Sequence, residues 1–223
     1  MKIAMITASP KVGKSASSIL LKECKTWITT HTENSDTYEF VEIVLNKPII
    51  EDSVLNKINS CDVLFFSFPL YEDSIPSHLL SCLVQLDQTN QEHVIDLKNK
   101  YVIALVNCGF YEGIQCEVAL EIMQHWCTHT ESIFIQGIGL GGGGCIEGIE
   151  RVPVGVSVKK VLATVYSHIL TVLAKCDLSL SDKNTDAIPG DNQYFSISMP
   201  RWLYLFSAHR MWKNAIRKNK RIA

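Results

Sequence analysis

The sequence predicts a doubly wound α/β fold built on a parallel sheet of five strands. Apolar segments of strand length alternate with segments of helical spacing through most of the 223 residues. Two of the apolar segments, residues 62–68 and 101–107, are almost continuously apolar, as strands are when helices cover both faces of a parallel sheet. A polar loop follows the first apolar segment and leads directly into a helical segment, which is how a βαβ unit begins.

The predicted strands and helices follow one another in regular order. Each helical segment begins near a polar or small residue that can cap it. The fifth strand leads into a glycine-rich loop at residues 139–148, and residues 156–174 are predicted to form a long closing helix. The expected sheet order is 2-1-3-4-5, with helices on both faces. The predicted strands are residues 2–8, 38–45, 62–68, 101–107 and 132–138, and the helices between them are residues 16–32, 51–59, 76–87 and 113–128.

Residues 177–223 are predicted to be an extension of the domain formed by residues 1–176. Residues 177–192 are polar and are interpreted as a connecting loop, and Pro200 then opens a helix. One interpretation is that this C-terminal helix contacts a membrane surface or a partner. The other is that it covers part of its own fold or a dimer mate, and this second use is the more common one for such helices. Its apolar stripe consists of Trp202, Leu203, Leu205, Phe206 and Met211, beside Arg210, Lys213, Arg217 and Lys218.

The charges are unevenly distributed along the chain, although the formal net charge is only −2. Residues 201–223 contain seven Lys or Arg and no acidic residue, so 14 basic and 23 acidic residues remain in the first 200. Because the whole molecule has no electrostatic bias towards nucleic acid, we expect no nucleic-acid partner.

Cysteine and histidine usage favours a reducing compartment and no metal site. The eight cysteines are scattered singly without a C-x-x-C pair, so reduced thiols are expected, and the seven His are dispersed. The chain begins on a strand without the pattern of a signal peptide, and no apolar run reaches the roughly 18–20 residues of a membrane span. We therefore expect a cytoplasmic protein without a transmembrane segment.

Three loops are predicted to meet at the carboxyl edge of the sheet. In a sheet of this order the binding crevice lies at the ends of strands 1 and 3, here residues 9–18 and 69–76, and the end of strand 4 adds residues 108–113. The first loop offers serine hydroxyl groups and the N–H groups of a helix start, a combination that binds phosphate. A planar aromatic ring that carries a phosphate tail suits such a cleft.

The first loop also resembles a P-loop, which makes a nucleoside triphosphatase one alternative. Residues 8–15, ASPKVGKS, match G-x-x-x-x-G-K-[ST] except that Ala8 replaces the first Gly. Such an enzyme also needs a carboxylate at the end of a second apolar strand to hold Mg²⁺. The candidate strands end instead in Ser-Phe-Pro and Asn-Cys-Gly.

The loop motifs taken together resemble those of the flavodoxin-like NAD(P)H-dependent FMN reductases and multimeric flavodoxins. Residues 8–21, ASPKVGKSASSILL, are similar to the family's G-S-P-R-x-x-S-x-[ST] followed by Leu-Leu, with Ala8 in place of Gly and Lys11 in place of Arg. Residues 69–76, PLYEDSIP, reproduce the motif P-x-Y-x-D-x-x-P in full. The segments NCGFYE at 107–112 and MPRWLY at 199–204 resemble the same family. The resemblance implies a flavodoxin-like fold.

The resemblance also implies an FMN-dependent oxidoreductase that takes hydride from NAD(P)H and reduces a small acceptor, such as a quinone, a nitro or azo compound, or free flavin. No catalytic side chain is nominated, because the flavin carries the hydride, and Tyr71 and Tyr111 are candidates for shaping the acceptor pocket. A homodimer is implied in the same way. The FMN phosphate is assigned to Ser9, Lys11, Ser15, Ala16 and Ser17, and the isoalloxazine to Pro69, Leu70, Tyr71, Glu72 and Asp73 on one margin and to Cys108, Gly109, Phe110 and Tyr111 on the other.

Two further alternatives remain at the level of the sequence. The first is a flavodoxin-type electron carrier that serves a protein partner without oxidising NAD(P)H, although such carriers are often strongly acidic and this chain is nearly neutral with a basic tail. The second is an interaction protein that has lost its cofactor, because Ala8 and Lys11 both depart from the family pattern. Cys108 is interpreted as a wall residue of the cleft, since no resolving cysteine stands nearby in the sequence.

Overall fold

The computed structural model describes residues 1–32, 37–181 and 191–219. Its strands form one parallel sheet in the order β2-β1-β3-β4-β5-β6. The strands are β1 Lys2–Thr7, β2 Glu39–Val44, β3 Val63–Pro69, β4 Tyr101–Asn107, β5 Ile133–Gly141 and β6 Asn192–Ser196, and the helices are α1 Ala16–His31, α2 Asp52–Asn59, α3 Ser77–Gln91, α4 Glu117–His129, α5 Lys160–Ser181 and α6 Arg201–Asn219.

The prediction of five strands is wrong, because the chain adds β6 beside β5. The pairing is parallel and runs from Gly137 opposite Asn192 to Gly141 opposite Ser196. Tyr194 packs against the core on one face of the sheet and Phe195 packs against the core on the other face. The strand has only five residues and is half-buried throughout, so it lacks the continuous apolar run that marks the central strands.

The predicted loop at residues 177–192 is also corrected in part. Helix α5 continues to Ser181, so residues 177–181 are helical, and Asn192 already belongs to β6. Residues 182–190 of the predicted loop lie outside the described part of the chain. The long closing helix and the C-terminal helix after Pro200 are confirmed.

Alternate side chains of the central strands enter two separate cores. On β3, Phe66 and Phe68 face one core, whereas Val63 and Phe65 face the other. Helices α2, α3 and α4 cover the first core, and α1 and α5 cover the second, to which α6 adds Tyr204. Both faces of the sheet are therefore covered, which explains the nearly unbroken apolar sequence of β3 and β4.

The start of α1 is fixed by a capping box directly after the first loop. The Ser15 hydroxyl oxygen accepts a hydrogen bond from the Ser18 N–H at 3.2 Å, and the Ser18 hydroxyl accepts from the Ser15 N–H at 2.9 Å. The remaining N–H groups of the first turn, those of Ala16 and Ser17, have no carbonyl partner within the helix. The helix start is thus rigid and presents free donors at the carboxyl edge of the sheet.

Within the described residues, one helical stretch has the length and apolar composition of a membrane span, Ser157–Leu178. One side of this stretch is part of the second core, through Leu162, Val165, Tyr166 and Ile169 among others. Of its most apolar window, 33% is buried in the structure.

Candidate functional site

The three predicted loops do meet, and they enclose two adjoining cavities at the carboxyl edge of the sheet. The cavities have volumes of about 220 and 250 Å³, share Leu70 and Gly109, and together are called the cleft below. Every predicted cofactor residue except Tyr111 lines the cleft. Its lining consists of Ser9, Lys11, Ser15, Ala16, Ser17, Pro69, Leu70, Tyr71, Glu72, Asp73, Asn107, Cys108, Gly109, Phe110, Gly143, Gly144 and Glu147.

Serine side chains and the α1 start form one end of the cleft. Ser9, Ser15 and Ser17 are all buried, and the Ser9 hydroxyl accepts a hydrogen bond from the Lys11 N–H at 3.3 Å. The Ser17 hydroxyl donates to the Asn107 side-chain oxygen at 2.8 Å, which joins the first loop to the end of β4. Sequence reasoning did not include Asn107 among the site residues. A polar residue that ends an otherwise apolar strand, one position before Cys108, was the signal that could have identified it.

Both lysines of the first loop form ion pairs with glutamates in the segment after β5. The Lys11 ammonium lies 2.8 Å from both carboxylate oxygens of Glu147, and the Lys14 ammonium pairs with Glu150. The Lys14 hydrogen bond lowers the pKa of Glu150. Since these pairs are largely exposed, they add little stability. The pair of Lys11 and Glu147 acts on the cleft electrostatically, because the Glu147 carboxylate offsets the positive charge that Lys11 brings to the end of the cleft beside α1.

The loop after β3 makes a tight two-residue turn. The N–H of Tyr71 donates to the Ser74 carbonyl at 3.0 Å, and the N–H of Ser74 donates back to the Tyr71 carbonyl at 2.9 Å. The two residues between them, Glu72 and Asp73, have φ angles of 48° and 58°. Such angles define a turn of type I′ and are costly for residues other than glycine. The turn holds the half-exposed Tyr71 ring at the mouth of the cleft.

The loop after β4 is held by backbone hydrogen bonds to the glycine-rich loop. The N–H of Gly142 donates to the Phe110 carbonyl at 2.6 Å, and the N–H of Gly143 donates to the Cys108 carbonyl at 2.7 Å. Phe110 remains half-exposed beside the cleft, opposite the loop that carries Tyr71. Two aromatic rings therefore border the cleft on separate loops.

Cys108 has a neighbouring thiol that the sequence did not suggest. Cys116 lies just before α4, and the interaction between the two thiols lowers the pKa of Cys108 and, with burial, raises the pKa of Cys116. Both thiols are buried. Cys108 lines the cleft, and Cys116, eight positions later in the sequence, reaches it because the turn at residues 113–116 folds back onto the end of β4.

Tyr111 points away from the cleft and anchors the C-terminal segment instead. Its hydroxyl donates to the Met199 carbonyl at 2.7 Å, and its ring centroid lies 5.7 Å from that of Tyr204. Tyr204 in turn donates to the Gly109 carbonyl, and Arg201 pairs with Glu112 at 2.8 Å. Burial raises the pKa of Tyr204 to about 12, so this donor keeps its proton. The start of α6 is thereby tied to the loop that borders the cleft.

No group of three or more His, Cys, Asp or Glu side chains suited to a metal ion is found among the described residues. The cleft offers hydroxyl groups, backbone N–H groups and aromatic rings to a ligand, beside the charged side chains of Lys11, Glu72, Asp73 and Glu147. Its donors are concentrated at the α1 start, which suits an anionic group there. The fold and the cleft define an α/β protein of the doubly wound type whose site lies at the switch point between β1 and β3.

Comparison with solved structures identifies this fold as flavodoxin-like. The chain is similar to an NADH:FMN oxidoreductase in its apo form, with a TM-score of 0.54 at 14% identity, over 90% of this chain and 96% of that chain. It is similar to a flavodoxin, WrbA-like protein from Agrobacterium tumefaciens, with a TM-score of 0.52 at 7% identity, over 78% and 98% of the two chains. An FMN-dependent NADH-azoreductase from Bacillus anthracis, solved with FMN, gives 0.50 at 13% identity, over 79% and 99%.

At these identities the likeness establishes the fold, and the flavodoxin-like fold implied by the resemblance is confirmed. No protein-family model matches the chain, and no curated protein matches it in sequence.

Proposed function

We propose that this protein is an FMN-dependent oxidoreductase that takes hydride from NAD(P)H and reduces a small acceptor, such as a quinone, a nitro or azo compound, or free flavin. The observation that carries the proposal is the convergence of three separate loops on one cleft at the switch point of a flavodoxin-like sheet. The chain's similarity in fold to an FMN-dependent NADH-azoreductase and to an NADH:FMN oxidoreductase supports it.

The phosphate of FMN is assigned to the α1 end of the cleft. The N–H groups of Ala16 and Ser17 and the Ser9 and Ser15 hydroxyl groups supply the donors, in the positive end of the helix dipole. Ser17 is held in place by Asn107. This arrangement depends less on Lys11 than the family pattern does, because Lys11 is already paired with Glu147.

The isoalloxazine is assigned to the part of the cleft between Leu70–Asp73 and Cys108–Phe110. FMN supplies the hydride chemistry when it is bound, so the residues have only to bind, orient and shield it. Tyr71 and Phe110 shield the cleft from water with their half-exposed rings. Tyr71 also borders the space for the acceptor, whereas Tyr111 is assigned a structural role because of its bond to Met199.

Flavin binding and reduction test the proposal directly. The purified protein should quench FMN fluorescence on titration, and the bound flavin should lose its visible absorbance anaerobically on addition of NADH or NADPH. Flavin that binds but is reduced by neither nucleotide would assign the protein to the electron carriers instead. Absence of flavin binding, together with ATP hydrolysis, would refute both flavin interpretations.

Ala16→Glu tests where the phosphate lies. Ala16 is the first residue of α1, where a carboxylate is favourable to the helix dipole, so the fold is retained. A negative charge beside a phosphate dianion should weaken FMN binding by at least about 30-fold, or roughly 2 kcal/mol. Ala16→Gln, which has the same shape without the charge, is the matched control and should lose much less affinity. Equal affinities for the two variants in a fluorescence titration would place the phosphate elsewhere.

Glu147→Gln tests the electrostatic role of the ion pair with Lys11. Removal of this half-exposed carboxylate frees the Lys11 ammonium and ends the repulsion of a phosphate. We expect FMN to bind about fivefold more tightly, a gain of roughly 1 kcal/mol that falls with added salt. Glu150→Gln releases Lys14 in the same way but changes no residue of the cleft, and it should leave the dissociation constant unchanged. Weaker binding in Glu147→Gln would contradict this role.

A further inference from the structure

Helix α6 is attached to the body of the protein along one side only. Tyr204 is buried there, and Leu203 and Ser207 are half-buried. On the other side, Trp202, Phe206 and Trp212 have 70%, 61% and 66% of their surface exposed. Leu205 and Ile216 are exposed as well. Of the apolar stripe expected to cover the chain's own fold or a dimer mate, Leu203 is half-buried, whereas Trp202, Leu205 and Phe206 are exposed and do not cover the described part of the fold.

The exposed apolar side chains form a stripe on one side of the helix. At about 100° per residue, Trp212, Leu205, Ile216 and Trp202 fall within an arc of roughly 80°, which also contains His209, and Phe206 lies about 40° beyond Trp202. The stripe lies opposite the side occupied by Leu203, Tyr204 and Ser207. Soluble proteins seldom leave a stripe of five large apolar side chains open to water unless it contacts something.

Cations border this stripe on both sides. Arg217 and Arg210 follow Phe206 around the helix on one side, Lys213 lies between Trp202 and Phe206, and Arg201 lies on the other side. All four are exposed, and Arg201 also pairs with Glu112. Residues 201–223 contain no Asp or Glu that could neutralise them. The outer face of α6, defined by these four cations and the five apolar residues, is therefore both apolar and strongly basic.

We propose that the outer face of α6 binds peripherally to an anionic phospholipid surface. Trp and Phe side chains favour the region between headgroups and acyl chains, where their rings enter an apolar layer beside a polar one. Lys and Arg extend from the same helix to the negative headgroups, and each adds about fivefold to the affinity. This proposal is independent of the flavin assignment.

A second copy of the chain fits this face less well. Two α6 helices packed face to face across a two-fold axis would bring the same exposed cations of each copy together, with no acidic residue between them in residues 201–223. A lipid surface instead offers negative headgroups to the cations and an apolar layer beneath them to the rings. The bonds from Tyr204 to Gly109 and from Arg201 to Glu112 then place the cleft beside the membrane.

Vesicle sedimentation tests the proposal on the full chain. Binding should be strong to vesicles of phosphatidylcholine with 30% phosphatidylserine, weak to phosphatidylcholine alone, and reduced when salt rises from about 0.15 to 0.5 M. Lys213→Glu/Arg217→Glu should weaken binding at least about 20-fold. Lys57→Glu/Lys98→Glu, which changes the net charge equally at exposed sites outside α6, should bind as the original chain does. Failure of the first pair to weaken binding would overturn the proposal.

The apolar stripe needs its own variant. Trp202→Ser/Phe206→Ser leaves every cation in place, and both side chains are exposed, so the fold should keep its circular dichroism spectrum and Tm. We expect it to lose most vesicle binding. Absence of vesicle binding by the original chain would refute the membrane proposal. A dimer that this variant converts to a monomer in sedimentation velocity would also refute it and would assign the outer face to a second copy.

Discussion

Gly141→Ala should lower the free energy of unfolding by about 3 kcal/mol or more, the upper part of the range for overpacked sites. A Cβ atom at Gly141 would lie 2.0 Å from the Tyr111 carbonyl oxygen and 2.6 Å from its carbon, so backbone would have to move. The loop after β4 also brings Gly113 against β5, where an added Cβ would meet the Gly139 carbonyl oxygen at 2.4 Å. Only glycine permits two backbones to approach so closely.

Gly141→Ala should alter the cleft in addition to lowering the stability. Tyr111 and Glu112 continue the loop that borders the cleft, so their displacement should also weaken FMN binding. Urea unfolding measures the first effect and a fluorescence titration the second. Gly148→Ala is the matched control, because a Cβ at that position meets only the Cys145 carbonyl oxygen at 3.4 Å and Gly148 does not line the cleft. Equal stability of the two variants would show that the loop after β4 packs less closely against β5 than the structure indicates.

Lys159→Met should lower the free energy of unfolding by about 3–5 kcal/mol at pH 7, the cost of leaving one member of a buried ion pair alone. Lys159 is fully buried, pairs with Glu23 of α1, and donates to the Glu150 carbonyl at 3.1 Å. The second carboxylate oxygen of Glu23 is buried without a hydrogen-bond partner. Without Lys159, that carboxylate would be buried with no counter-charge.

The loss in Lys159→Met should depend on pH in a defined direction. Burial raises the pKa of Glu23 in spite of Lys159, so the folded state binds this proton more readily than the unfolded state does. A group whose pKa is raised on folding makes its whole contribution to the free energy of unfolding below its unfolded-state pKa. That contribution is lost as the pH rises through its folded-state pKa. Removal of the lysine raises that pKa further, so the variant should lose less stability at pH 4.5 than at pH 7.

Urea unfolding at the two pH values checks this expectation. Glu23→Gln/Lys159→Met, which removes both charges, should recover part of the lost stability at pH 7 and show little dependence of its loss on pH. A loss in Lys159→Met that is the same at pH 4.5 and pH 7 would show that packing of the lysine chain, and not its charge, supports the fold.

The sequence was sufficient for the features that depend on local pattern. Continuous apolar runs predicted β3 and β4, and Ser15 at the end of a polar loop predicted the start of α1. Because the carboxyl ends of parallel strands share one edge, three loops far apart in the chain were predicted to meet. The residues drawn from those loops line the cleft, apart from Tyr111.

Features that depend on how loops fold over the edge of the sheet were not predicted. The partner of Lys11 is Glu147, 136 positions later, and no local pattern connects them. Cys116 reaches Cys108 because the intervening turn reverses direction. Tyr111 faces Met199 because the C-terminal segment returns to this edge after β6. Each contact is set by tertiary packing, which side-chain spacing does not encode.

Strand β6 has a consequence for the colloidal behaviour of the protein. A chain that ended at residue 176 would leave β5, Ile133–Gly141, as the sheet edge, with unpaired N–H and C=O groups and no charged residue in IFIQGIGLG. Long, uncharged edges of this kind pair with other chains and promote aggregation. The native edge is the five-residue strand Asn192–Ser196, which is short and begins with two amide side chains. The polar C-terminal strand thus protects an aggregation-prone core strand from intermolecular pairing.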